Sequence, residues 1–222
     1  LCVAYWFPLF VHARQSGLSE DDARELVQGF MAQLLERGGL DGAAPEVGRF
    51  RAYFLGAVRH YSANVHRASR AAKRDGGPIQ SIGGPGLPID IAGAASRYDG
   101  SRASDLTPSE AFDRAWAEEV IRAAKARLES EYLERGKEAV FEALKDTLDG
   151  SPGTRSHEAR AAEIGCTIGA VKVAAHRLRA RLGELIRAEV SQTLDHPDDL
   201  EDELGLLIRA LRGNSEGGGK VG

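Results

Sequence analysis

Ser156-His157-Glu158-Ala159-Arg160-Ala161-Ala162-Glu163-Ile164-Gly165-Cys166-Thr167-Ile168-Gly169-Ala170-Val171-Lys172 holds two helix starts and one helix stop in a single short stretch. Ser156 and Thr167 each carry a hydroxyl that can accept from the backbone N–H groups of a first helical turn. Gly165 between them supplies the positive φ that a tight turn requires. Two helices joined in this way form a helix-turn-helix. Val171, Ala175, Leu178, Leu182 and Leu185 then recur at helical spacing and predict the buried face of a longer second helix. Its other side carries Gly169, Lys172, Val173, His176 and Arg179, with Arg177 and Arg181 at the flanks. In such a motif the start of the second helix lies in the major groove, and neighbouring cations hold phosphates. Gly169, Lys172, Val173 and His176, with Thr167 beside them, are therefore expected at base edges. Arg177, Arg179 and Arg181 are expected mostly on the DNA backbone.

The remainder of the chain is helical by the same criterion. Ser19 is a predicted N-cap with Asp22 three residues on, and Gly38 lies past the predicted helix end. Between them Ala23, Leu26, Val27, Phe30, Met31, Leu34 and Leu35 make one apolar face. From Arg49 to about Arg74, Phe50, Tyr53, Phe54, Ala57, Tyr61, Val65, Ala68 and Ala72 fall on one side of a helix, and Arg59, His66, Arg70, Lys73 and Arg74 on the other. Phe112, Trp116, Val120, Leu128 and Tyr132 predict a further long helix, and Val140, Phe141, Leu144 and Leu148 one after it. No stretch alternates with period two. The expected fold is all-α: two small helical domains at 1–75 and 109–190, a flexible Gly/Pro-rich linker at 76–108, and an acidic tail at 191–222.

The 222 residues sum to a net charge of -4, yet the charges are segregated. Arg59 to Arg74 contains five Lys or Arg and no acid. Arg160 to Arg181 contains five against Glu163 alone, and Glu189 to Glu203 has acids and no Lys or Arg. The acidic tail thus cancels two cationic patches that suit a polyanionic partner. Cys2 and Cys166 are too few for a disulfide framework or a zinc cage, which favours a reducing, cytoplasmic setting without metal or cofactor. The apolar opening from Leu1 to Val11 is too short to span a bilayer and predicts a core helix. Because Leu rather than Met stands first, the chain is expected to begin inside a longer polypeptide.

The run Ala170-Val171-Lys172-Val173-Ala174-Ala175-His176-Arg177-Leu178-Arg179-Ala180-Arg181-Leu182 resembles the promoter-reading helix of extracytoplasmic-function sigma factors of bacterial RNA polymerase. Asp22-Ala23-Arg24-Glu25-Leu26-Val27-Gln28-Gly29-Phe30 resembles their polymerase-binding helix. Phe50-Arg51-Ala52-Tyr53-Phe54-Leu55, leading into the basic ridge, is similar to their promoter-melting helix. Leu106-Thr107-Pro108 and Phe112-Asp113-Arg114-Ala115-Trp116-Ala117 are similar to the start of the second domain in one large subgroup. The resemblance implies a protein that binds the RNA polymerase core, reads the minus-thirty-five element of promoter DNA with its second domain and opens the minus-ten element with its first. It implies polymerase contacts at Glu25, Gln28 and Phe30, although Phe30 also falls on the apolar face. It places His60, Tyr61 and Asn64 near a base-capturing loop, and adds Arg59, His66, Arg67, Arg70, Lys73 and Arg74 as the minus-ten ridge. An anti-sigma or other regulatory protein is the further partner implied; a membrane is not.

Arg160 departs from the family pattern, which has an apolar residue in its place, and His157 replaces a common aromatic. Packing of the first helix of the motif is then expected to rest on Ala159, Ala162 and Ile164. Catalytic spacings such as HExxH or a P-loop are absent from the sequence, so the chain does not read as an enzyme. The rival readings are a helix-turn-helix regulator that acts without polymerase, which would need a dimer to span two half-sites, and an anti-sigma-like adaptor. Leu204, Leu206, Leu207, Ile208 and Leu211 can form an amphipathic helix that folds back on a basic patch as an internal competitor, or a solvated helix end.

Overall fold

The computed structural model describes residues 2–36, 50–75, 93, 95–98, 105–148, 155–194 and 196–212, and within these every regular element is helical. The elements are α1 (Cys2–Gln15), α2 (Glu20–Glu36), α3 (Phe50–Asp75), α4 (Pro108–Glu134), α5 (Glu138–Leu144) with a 3-10 turn at Lys145–Leu148, α6 (His157–Ile164), α7 (Ile168–Ser191), a 3-10 turn at Pro197–Asp199 and α8 (Leu200–Arg212). None of these helices is long and apolar enough to cross a membrane. The chain divides into two compact units, one from the described residues of Leu1–Glu119 and Thr193–Gly222, the other Val120–Gln192.

The first unit is built on aromatic side chains. Tyr5, Trp6, Leu9 and Phe10 of α1 are almost fully buried. Tyr5 lies 5.0 Å from Phe54 and 6.4 Å from Phe112, centroid to centroid, and Phe30 meets Phe54 edge-on at 5.5 Å. Ser19 caps α2 as its sequence predicts: its hydroxyl accepts from Asp22 N–H at 3.1 Å and donates to the Asp22 carboxylate at 2.6 Å. Leu35, expected on the apolar face, is 51% exposed. Gly38, Arg49 and most of the Gly/Pro-rich stretch lie outside the described residues.

What is described between α3 and α4 belongs to the first unit. Arg97 pairs with the buried Glu119 and covers the Phe7 ring, Tyr98 meets Phe10 edge-on, and Leu106 C=O accepts from Gln15. Phe112 and Trp116, expected to open the second domain, are buried in this unit too, and the division falls inside α4 after Glu119. The C-terminal segment also returns to it. Arg51, 8% exposed, lies over the Trp116 ring at 4.7 Å and pairs with Asp113 at 2.6 Å and with Glu203 of α8 at 3.3 Å. The described part of the tail is therefore not simply a solvated end: the buried Glu203 and Leu207 of α8 complete the core around the start of α3.

The second unit encloses Ala124, Leu128, Phe141, Leu144, Ala161, Val171, Ala175, Leu178, Leu182 and Leu185, which includes the whole apolar face predicted for α7. The helix-turn-helix forms as its sequence dictates. Ser156 and Thr167 accept from Ala159 N–H and Ala170 N–H, each at 3.2 Å, and Gly165 turns with φ 66° and ψ 38°. The packing face of α6 differs from expectation. Ala159 and Ala162 are exposed, whereas Arg160 and Ala161 are buried. Arg160 is 2% exposed because acceptors await each guanidinium nitrogen: Nε donates to Ala143 C=O at 3.0 Å, Nη2 to Asp146 at 2.7 Å, and Nη1 to Arg155 C=O.

Two stability predictions follow from these cores. Arg160→Ala should lower the unfolding free energy by about 2–3 kcal/mol, since it frees buried carbonyls and half-buried Asp146; urea unfolding followed by far-UV circular dichroism measures it. Burial pushes the Tyr5 hydroxyl from 10.0 up to about 12 against its bond with Thr193 and the charge of Arg51. The unfolded chain then ionises first, so stability is intact below pH 10 and falls by about 1.4 kcal/mol per pH unit between 10 and 12. Tyr5→Phe should remove that slope, as read by the fluorescence of Trp6 and Trp116, both buried in this unit.

Candidate nucleic-acid interface

Capping, turn and apolar face together fix the rotation of α7, so what it exposes follows from what it buries. Gly169, Lys172, Val173, His176, Arg177 and Arg179 are exposed, and Val173 is 50% exposed. Among the described residues Lys172, His176 and Arg177 make no hydrogen bond or ion pair. The Lys172 charge is felt at Glu158, whose carboxyl is held low chiefly by its own backbone N–H and by Ser156, with His157 and Lys172 adding to the effect. Thr167 is engaged as the helix cap, with its hydroxyl on Ala170 N–H.

The flanking arginines are not equivalent. Arg179 Nε donates to Thr147 C=O at 3.3 Å and the side chain stays exposed. Arg181, expected at a phosphate, is gripped by Glu131 at 2.7 and 2.9 Å and by Glu184 at 2.6 Å. The fork of Arg181 in turn holds the Glu131 carboxyl below the usual carboxylate range. A phosphate would have to displace two carboxylates there, so Arg181 braces α7 against α4 in this structure. Arg160, counted in the same cationic patch, is buried. The exposed cations of the motif are Lys172, Arg177 and Arg179, with Arg155 tied to Glu163 at 2.8 Å.

In the first unit α3 buries Arg51, Phe54 and Val58, with Tyr61, Ser62 and Val65 half-buried. Arg59, His60, Asn64, His66 and Arg67 are exposed. His60, Asn64 and Arg67 form a ladder one turn apart: Asn64 Nδ2 and His60 Nδ1 are 3.2 Å apart, and Arg67 donates to Asn64 Oδ1 at 2.8 Å. Arg59 donates to the Ser109 hydroxyl at 2.5 Å. Arg59 and His66 also border a cavity of about 290 Å3 floored by Leu9, Leu26 and Val58. The helix continues to Asp75, while the side chains of Arg70, Lys73 and Arg74 lie outside the described residues. Tyr61 does not join His60 and Asn64. Its ring turns inward, 5.8 Å from Phe30, and its hydroxyl closes on Gly29, where an added Cβ would stand 2.4 Å away. Burial, with the Glu25 charge, pushes that hydroxyl above its ordinary pKa.

On α2, Glu25 is exposed and Gln28 half-buried. Phe30 is 5% exposed, meets Phe54 edge-on and the Tyr61 ring at a tilt, and so belongs to the core. Sequence reasoning passed over Arg51 and undervalued Arg160, since nothing local distinguishes an arginine that will meet distant carboxylates from a solvated one. No family model, curated protein or solved structure matches the chain.

The division among the arginines is testable. On any duplex the chain binds, Arg177→Ala should flatten the dependence of log affinity on log salt by about 0.9 and leave stability unchanged. Arg181→Ala should keep the salt slope and shift the urea midpoint only slightly, because the pair is partly exposed. Salt-series fluorescence anisotropy and urea midpoints report the two quantities.

Proposed function

We propose that this chain is a sigma subunit of the extracytoplasmic-function type, which binds the RNA polymerase core and directs it to promoter DNA. One observation carries the reading: a capped helix-turn-helix whose second helix leaves Lys172, His176 and Arg177 on its open face, with Glu131 and Glu184 held by Arg181 and Glu163 by Arg155. Lys172 and His176 are the candidates for base edges of the upstream element, and Arg177 and Arg179 for its phosphates. The exposed ladder of His60, Asn64 and Arg67, with Arg59 and His66 on the adjacent flank, supports a second DNA contact, at the minus-ten element. Single-chain reading of two different elements distinguishes this arrangement from a dimeric regulator that reads two equal half-sites. Glu25 and Gln28 are the candidate polymerase contact, and their accessible positions on α2 suit it. Phe30 drops out of that contact and becomes its support. The cytoplasm is the matching compartment.

Run-off transcription with purified bacterial polymerase core on a promoter library tests the proposal. Specific transcripts should appear only when the chain is added, and Glu25→Ala with Gln28→Ala should reduce core association at least several-fold while leaving the helical content intact. Specific duplex binding without any gain in transcription would assign the chain to the polymerase-independent regulators instead.

A further inference from the structure

Val173 is the more exposed of two large apolar side chains that α7 leaves open, 50% exposed against 40% for Ile168 at the helix start, with Gly169 one turn before it, Lys172 beside it and His176 after it. Residues three and four apart share a helix face, so these four meet the same partner. The face has an uneven chemistry: a branched hydrocarbon, Val173, lies between Lys172 and His176, which favour an anion. Such a mixture does not suit a protein hot spot, which clusters aromatic and apolar anchors in a dry centre. It suits a duplex, because Lys172 and Arg177, without ion pairs among the described residues, complement the phosphates on either side of a groove. In the floor of the major groove the apolar group a base pair offers is the C5 methyl of thymine.

Gly169 points the same way. A Cβ at this position would meet nothing nearer than the Thr167 hydroxyl at 3.9 Å, so the chain's own packing does not require glycine here. A helical glycine is destabilising relative to alanine, and its other use is to let a partner approach the backbone closely. The open first turn lets a base edge settle against α7 within reach of Val173.

We propose that Val173 is a specificity residue that recognises the C5 methyl group of one thymine in the upstream promoter element. The inference rests on the DNA-reading assignment of α7 and adds to it the chemical group that is read. It makes Val173 a discriminator of thymine from cytosine and from uracil at one base pair, with Lys172 and His176 left to the hydrogen-bonding edges of neighbouring pairs.

The test begins with the full chain, alone and with bacterial polymerase core, selecting duplexes from a library randomised upstream of the start site. Each thymine of the selected duplex is then replaced singly by deoxyuridine, which removes only the methyl group, and competition binding is measured. One position should weaken about four-fold, the worth of one buried methyl-sized group. Val173→Ala should bind the thymine and uracil forms of that position equally, with unchanged circular dichroism. Tolerance of uracil at every position, or a penalty that persists undiminished in Val173→Ala, overturns the role of Val173 and leaves sequence-specific DNA reading standing. Failure to enrich any sequence, with or without core, overturns both.

Discussion

A guanidinium leaves water only where acceptors or a π face replace its hydration, and each unit of this chain closes around one that has done so. In the second unit Arg160 satisfies all three nitrogens with two main-chain carbonyls and Asp146, and by doing so ties α6 to the turn that follows α5. In the first unit Arg51 lies on Trp116 and meets Asp113 and Glu203, thereby joining α3, α4 and α8. The two sites differ in balance. Arg160 meets one partly exposed carboxylate, which it shares with Arg155 at 3.8 Å, whereas two carboxylates crowd Arg51. Burial accordingly pushes Asp113 up even though the Arg51 charge pulls it down. These pairs cost desolvation and specify geometry, which is why removing one partner is more damaging than the pair's net worth suggests.

Once the arginines of the core are fixed, the disposition of the remaining charge follows. Part of the acidic excess of the sequence is committed to arginines away from the open face of α7, although Glu158 of α6 feels the Lys172 charge. Glu131 and Glu184 hold Arg181, Glu163 holds Arg155, and Glu203 is buried against Arg51. The exposed cations of α7 and of the α3 ridge therefore keep their field, although the net charge is -4. A sum over the chain is a poor guide to its partners; which carboxylates fold onto which arginines decides what a polyanion meets.

How far the sequence foretold this varies with the range of the interaction. Ser19, Ser156, Thr167 and Gly165 act within one helical turn, and each performs the role its type and position predict. The apolar face of α7 depends only on period, and Val171 through Leu185 bury as expected. Errors begin where a partner is far away in the chain. The linker reading and the family resemblance assigned Phe112 and Trp116 to a second domain, but helical periodicity carries no information on which core will take an apolar face, and Tyr5 and Arg51 claim them. Ala159 and Ala162 have the composition of a packing face, yet α6 turns Arg160 inward because acceptors converge there. Tyr61 has the chemistry of a base platform, but Gly29 leaves a space on α2 that the tyrosine hydroxyl fills.

The same range argument bears on α8. Its local signal is an amphipathic pattern preceded by acids, which fits a solubilising end and an internal competitor equally well. The choice is made by one buried carboxylate. Glu203 is 2% exposed, a burial that free energy tolerates only beside a cation, and the cation it meets is Arg51 at the start of α3. Arg59 and Arg67 are exposed on the same helix, and pairing either with Glu203 would require desolvating it around a single acid. Arg51 is already stripped of water by Trp116 and Asp113, so Glu203 adds its attraction where much of the desolvation has already been incurred. An acidic helix thus docks on the most buried arginine among the described residues of the unit and leaves Arg59 and Arg67 exposed.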